Sequence, residues 1–132
     1  MNLDDARNLA VAYLEAMEAR DLDKARKMVA DKVAITFPGG RRFAQIDEIV
    51  RNSSGRYRSV RKNIARKDAW QEDGVVCVLV TGTLFGEWPD GTPFEGIRFA
   101  DRFEIVDGRI TRQEVWNDAG ERVLSMRHEA AA

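Results

Sequence analysis

The residue best suited to chemistry is Asp101, set between Phe99 and Phe103 in a stretch that alternates as a strand does. Residues two apart on a strand share a face, so two phenyl rings flank the carboxyl group. Apolar surroundings disfavour its charge and push its pKa up. A carboxyl group raised toward neutrality can take up or release a proton at working pH, which is general acid/base chemistry. Arg98 lies three residues away, on the opposite face, so an Asp–Arg relay along this strand is not expected. On the following strand Gln113, Val115 and Asn117 share one face, while Arg112, Glu114 and Trp116 share the other.

Other chemistries find few residues to use. His128 is the only histidine and sits among the last residues, which argues against a histidine-rich metal site or a Ser-His-Asp relay. Cys77 is alone, so no intrachain disulfide is possible, and its place in the apolar run Val75 to Val80 reads as a core thiol. No Gly-rich phosphate loop or dinucleotide fingerprint occurs, so no cofactor and no metal are expected. The net charge of −1 conceals a basic stripe between Val50 and Asp68: Arg51, Arg56, Arg58, Arg61, Lys62, Arg66 and Lys67, with no acid among them. Nucleic-acid binding is nonetheless not expected, because Tyr57 is the stripe's one aromatic and base stacking needs more. A solvated helix face running into an exposed strand accounts for the stripe equally well.

Elements that could position Asp101 follow from periodicity and turn signals. Leu9, Ala10, Tyr13, Leu14 and Met17 recur at helical spacing over residues 4 to 20, with Asp4 or Asp5 available as cap. Asp21 caps a short second helix carrying Leu22, Ala25, Met28 and Val29. Val33 to Phe37 forms a short strand ended by Pro38-Gly39-Gly40, and residues 45 to 54 form a third helix stopped by Gly55. Long strands follow at Val60 to Trp70, Val75 to Trp88, Phe94 to Val106 and Arg109 to Trp116, joined by turns at Glu72-Asp73-Gly74, Pro89-Asp90-Gly91 and Asp107-Gly108. Helices followed by hairpins predict an α+β fold with the helices on one sheet face. Val76, Val78, Val80 and Leu84 alternate with Cys77, Leu79, Thr81 and Thr83, so both faces are short of polar groups. With no helix left to cover the second face, a sheet-to-sheet homodimer is expected, with outward Ile110 and Trp116 contributing.

Length and composition set the frame. At 132 residues, with 44% hydrophobic and 33% charged side chains, the chain suits one soluble domain. Its longest apolar run is too short for a membrane span, and the acidic Met1-Asn2-Leu3-Asp4-Asp5 is unlike a signal peptide. A cytoplasmic protein with no membrane partner is expected.

The stretch Tyr13-Leu-Glu-Ala-Met-Glu-Ala-Arg-Asp21-Leu22-Asp23 resembles the first helix and turn of the SnoaL-like and ketosteroid isomerase-like families, within the nuclear transport factor 2-like superfamily. Ala100-Asp101-Arg102-Phe103-Glu104-Ile105-Val106-Asp107-Gly108-Arg109-Ile110 resembles their Asp-x-Phe strand, Asp-Gly turn and closing strand. The resemblance covers nearly the whole chain and implies a single domain over residues 1–132. That domain would be a cone-shaped, cystatin-like roll of three N-terminal helices on a curved, mostly antiparallel sheet. It places Tyr13 and Asp101 where the isomerases carry a helix tyrosine and a protonated strand aspartate as an oxyanion hole. Phe37 stands where those enzymes have a base and cannot accept a proton, so the resemblance does not extend to steroid isomerisation by that route.

SnoaL-like cyclases rely on one strand aspartate, so the resemblance implies an isomerase, cyclase or lyase acting on an apolar carbonyl or hydroxyl compound. Asp101 would be the acid/base, with Tyr13 and Asn117 polarising a ligand oxygen or bonding Asp101 itself. The implied pocket is lined by Met17, Phe37, Tyr57, Thr81, Phe99, Phe103, Gln113, Val115 and Asn117. The competing expectation is a non-catalytic ligand-binding or dimerisation module, in which Tyr13 is a core residue that bonds Asp101 simply to satisfy both.

Overall fold

The computed structural model describes residues 1–131. In chain order its elements are α1 (Leu3–Glu18), α2 (Leu22–Arg26), β1 (Val29–Phe37), a single 3-10 turn at Pro38–Gly40, β2 (Arg41–Phe43) and α3 (Ile46–Ser54). Then come β3 (Ser59–Glu72), β4 (Val75–Glu87), β5 (Pro93–Val106), β6 (Arg109–Asn117) and α4 (Ala119–Ala131). The strands make one six-stranded sheet, ordered β2-β1-β6-β5-β4-β3. All neighbours are antiparallel except β1 and β6. This is the expected α+β roll, with three N-terminal helices against a mostly antiparallel sheet.

Alternation along β5 builds the interior. Ile97, Phe99, Asp101, Phe103 and Ile105 are buried, and from β4 Val76, Val78, Val80 and Leu84 join them. α1 answers with Ala6, Ala10, Tyr13, Leu14 and Met17, whose helical spacing makes one stripe against β3 and β4. The β3–β4 and β5–β6 turns each carry an Asp-Gly pair with positive φ at both positions, 52° and 78° at Asp73-Gly74 and 50° and 74° at Asp107-Gly108. Such turns match the twist of the strands they join.

The sheet bends where it is bulged, between Ile64 and Arg66, Leu84 and Gly86, and Glu104 and Ile105. At Gly82 the neighbouring strand comes so close that a Cβ would stand 1.9 Å from the Asn63 carbonyl oxygen, so only glycine fits. The curvature leaves room between sheet and helices.

Several expectations need correcting. Asn2, not Asp4 or Asp5, caps α1, its Oδ1 accepting the Asp5 N–H at 2.7 Å. β1 begins at Val29 rather than Val33, because Val29 pairs with Ile110 and the Ile110 N–H donates to the Met28 carbonyl. Arg41–Phe43 adds a short edge strand on β1. Ile110 does not face outward. The bulge opposite Glu104 and Ile105 takes up one residue of β6, which turns Ile110 into the core, where it is fully buried.

The chain also has a fourth helix, α4, which buries no residue and leaves Leu124 and Met126 exposed. Cys77 is buried but not in the core. It lies on the outer sheet face, within 3.6 Å of Arg102 Nη2, and Arg102 also sits 5.9 Å from the Trp70 ring centroid. Arg102 is held by Glu104 at 2.6 Å and Glu114 at 3.5 Å, and Arg112 adds a contact to Glu104. Part of the outer face is therefore covered by the chain's own ion pairs.

Candidate functional site

Between the inner sheet face and the helices lies a cavity of about 100 Å³. α1 supplies Tyr13, Leu14 and Met17, α3 supplies Ile49 and Ser53, and the sheet supplies Phe37, Val60, Leu84, Phe99, Asp101, Gln113, Val115 and Asn117. Glu18, Arg20, Tyr57 and Lys62 complete the lining. The walls are mostly apolar with a few convergent polar groups, the usual composition of a small-molecule site.

Asp101 occupies the wall at a point of complete burial. It is 1% exposed, and its Oδ1 is enclosed without a hydrogen-bond partner. Burial drives its pKa from 3.8 up to about 6, moderated by the positive charge of Lys62. An acid raised this far exchanges its proton near neutrality.

Tyr13 reaches the same region from α1 but does not bond Asp101. Its hydroxyl donates to Gln113 Oε1 at 3.0 Å, and its ring packs edge-on against Phe103 with centroids 5.9 Å apart. Burial, and then the charge of Asp101, raise the tyrosine's pKa, which keeps the phenol protonated as a donor. With Gln113 Oε1 engaged by Tyr13, the amide nitrogen of Gln113 is the donor it offers to the cavity. Asn117 also lines the cavity and likewise leaves Asp101 unbonded. Its Oδ1 accepts the Ala119 N–H at 3.0 Å, tying the end of β6 to the start of α4.

Most of the residues expected at the site are brought together. Met17, Phe37, Tyr57, Phe99, Gln113, Val115 and Asn117 line the cavity with Tyr13 and Asp101. Phe103 lies behind the wall, fully buried against Tyr13. Thr81 does not reach the cavity: it pairs with Ala100 and, between inward Val80 and its neighbours, takes the outer face. Arg98, on the opposite face from Asp101, binds Asp118 at 2.5 Å.

Leu14, Glu18, Arg20, Ile49, Ser53, Val60, Lys62 and Leu84 also line the cavity and were not expected at the site. Val60 and Lys62 are two apart in β3 and so share a face, a signal the alternation carried. Arg20 and Ser53 meet only in three dimensions, where Arg20 Nη2 donates to Ser53 Oγ at 3.2 Å. Tyr57 is set in place by an aromatic cluster, stacked on Trp88 at 5.8 Å and beside Phe94 at 5.6 Å. Among the described residues, no group of His, Cys, Asp and Glu gathers as a metal site.

The fold recurs in solved structures. An NTF2-like protein of unknown function from Burkholderia pseudomallei superposes with a TM-score of 0.75 at 19% identity, over 93% of this chain and 96% of the other. A Jannaschia sp. protein assigned as a SnoaL-like polyketide cyclase gives 0.73 at 12% identity, over 92% and 90%. An LEH-like epoxide hydrolase of M. tuberculosis gives 0.63 at 21% identity, over 88% and 84%. At these identities the likeness speaks for fold alone. No curated protein matches the chain by sequence. The family model of the SnoaL-like domain matches residues 10–113, from within α1 to Gln113 on β6, and the chain belongs to that family.

Proposed function

We propose that the protein binds a mostly apolar small molecule in the cavity and acts on it by proton transfer at Asp101, as an isomerase, cyclase or lyase. The observation that carries this reading is the enclosed, unpartnered Oδ1 of Asp101 on a cavity wall. A buried carboxyl oxygen without a partner is costly unless a ligand supplies one, and such groups concentrate at functional sites. With a pKa of about 6, Asp101 is mainly ionised at neutral pH, so it is the base that removes a proton from an acidic C–H or O–H placed against it. Protonated, it returns that proton as an acid. Gln113, held by Tyr13, supplies a donor for the oxygen on which negative charge develops.

Following the Asp101 carboxyl by NMR across pH tests the premise. A midpoint near 6 supports it, whereas a value near 4 removes the raised acid on which the mechanism depends. Once a substrate is in hand, Asp101→Asn should lower turnover by a factor on the order of 10² or more and leave ligand binding in place. Undiminished turnover would show that the proton transfer does not pass through Asp101.

We also infer that two copies associate through the outer sheet face. Support comes from Trp116, 52% exposed on that face, and from the half-buried Trp70, Leu79 and Phe85. The ion pairs around Arg102 restrict the apolar contact to the area beside them.

A further inference from the structure

Where the cavity meets a surface depression at its mouth stand cations that hold no carboxylate. Arg20 and Lys62 are part of the lining, and the depression shares Arg20, Ser53, Tyr57 and Val60 with the cavity and adds Arg58. Tyr57 stands where the two meet. Arg56 and Arg41 lie close enough to this tyrosine that their charges pull its phenol pKa down, against burial, which dominates and raises it. Arg41 is itself half-buried, and its proton affinity is lowered by burial first and then by the charge of Arg56. Its side chain is turned to neutral groups, the Pro38 carbonyl and Asn52 Oδ1.

Elsewhere on the described surface some cations are paired and others, such as Lys24, Lys32, Arg42 and Arg51, are not. Arg7, Arg26, Arg61, Arg66, Arg98, Arg102 and Arg112 each contact a carboxylate. Among the described residues, none of Arg20, Arg41, Arg56, Arg58 and Lys62 does so. Glu18 is the one carboxylate of the rim, and it is engaged by the Lys62 backbone N–H at 3.1 Å and by Arg61 at 3.9 Å. Unpaired cations grouped around a low-dielectric opening repel one another and raise the local potential, and an anion placed among them relieves both. Guanidinium groups in particular can grip an oxyanion through two hydrogen bonds at once.

Accepting the cavity as a ligand site, we propose that its mouth is an anion subsite and that the ligand is an amphiphile. Its apolar body enters toward Asp101, and a terminal carboxylate, sulfate or phosphate stays at the rim among Arg20, Arg41, Arg56, Arg58 and Lys62. Asp101 fixes the orientation. An anionic group carried inward would meet the aspartate's own charge in an apolar enclosure, whereas the reverse orientation puts an apolar or proton-bearing segment against the base. A nucleic acid fits the rim less well, because Tyr57 stacks on Trp88 within its own cluster and is not free for a base.

Calorimetric titration tests the proposal with hexanoate, octanoate, decanoate and dodecanoate beside their primary amides, each below its micelle threshold. The members of a pair share a body and differ in charge, and the length series lets the head group find the rim. At low salt the carboxylate should bind about tenfold or more tightly than its amide for the lengths that reach, and the gap should narrow as salt rises. The double substitution Arg56→Gln with Arg58→Gln, at two exposed positions, should reduce the carboxylate preference about threefold or more and leave amide binding unchanged. Arg41→Gln, checked for folding by its thermal transition, should act in the same direction.

Equal binding of acid and amide at every length, or a preference indifferent to these substitutions, would overturn the rim proposal and leave the pocket reading standing. Binding by neither member of any pair would overturn both. Pelleting with phosphatidylglycerol vesicles, or capture of a single-stranded oligonucleotide, without any carboxylate preference in solution would show that the cations serve a surface or a polymer and would overturn the proposal.

Discussion

Asp101 links the chemistry to stability through its titration. Its folded pKa of about 6 lies above the ordinary 3.8, so the folded state holds the proton more tightly than the unfolded chain. Relative stability from this group is therefore full below about 3.8 and is lost as pH rises through about 6. At pH 7.5 Asp101→Asn should be more stable than the parent by on the order of 3 kcal/mol, and the difference should vanish near pH 4. Paired denaturant titrations at the two pH values measure it, and a pH-independent difference would show that Asp101 titrates normally. Tyr13→Phe should cost about 1–3 kcal/mol by leaving Gln113 Oε1 without its donor, with little effect on the Asp101 midpoint because the hydroxyl bonds Gln113 rather than the acid. A large upward move of that midpoint would show that the hydroxyl donates to Asp101 instead.

Among the elements, β3 and β4 depend on a close approach that one glycine permits. Gly82→Ala would place a methyl group inside the Asn63 carbonyl and should destabilise by on the order of 3 kcal/mol, read as a lower denaturant midpoint with unchanged slope. Near-parental stability would mean the strands part at no cost, and the curvature would then not depend on Gly82. The tie between β6 and α4 is lighter. Asn117→Ala removes one bond to the Ala119 N–H, about 1 kcal/mol, and should speed amide exchange across 119–131 while leaving the sheet protected.

For the whole molecule, the proposed dimer rests on the outer sheet face. Its Trp116 and neighbouring apolar residues predict a dimer by sedimentation at micromolar concentration, and Trp116→Arg should shift the equilibrium toward monomer. A monomer mass with no concentration dependence would mean that the Arg102 network and solvent suffice to cover that face.

Much of the architecture was legible because it is written in local patterns. The stripe of α1, the Asp21 cap of α2, the Asp-Gly turns and the alternation of β5 are properties of neighbours in sequence, and the burial of Asp101 between two phenylalanines followed from parity alone. Parity failed at Ile110, because a bulge displaces the register and its position depends on how β5 and β6 meet. The extension of β1 to Val29 and the edge strand at Arg41–Phe43 likewise exist only through their partners. At the site, strand parity pointed to Asp101 and Gln113 and the family resemblance to Tyr13, but the tertiary structure chose which of them bond. Tyr13 and Gln113 are a hundred positions apart, and their hydrogen bond leaves Asp101 as the enclosed group without a partner. The basic stripe was visible as charge in the sequence; only the fold set Arg58 and Lys62 of that stripe, with Arg20, along the cavity and the depression beside it, because a cation's distance from a cavity is set by packing and not by spacing along the chain.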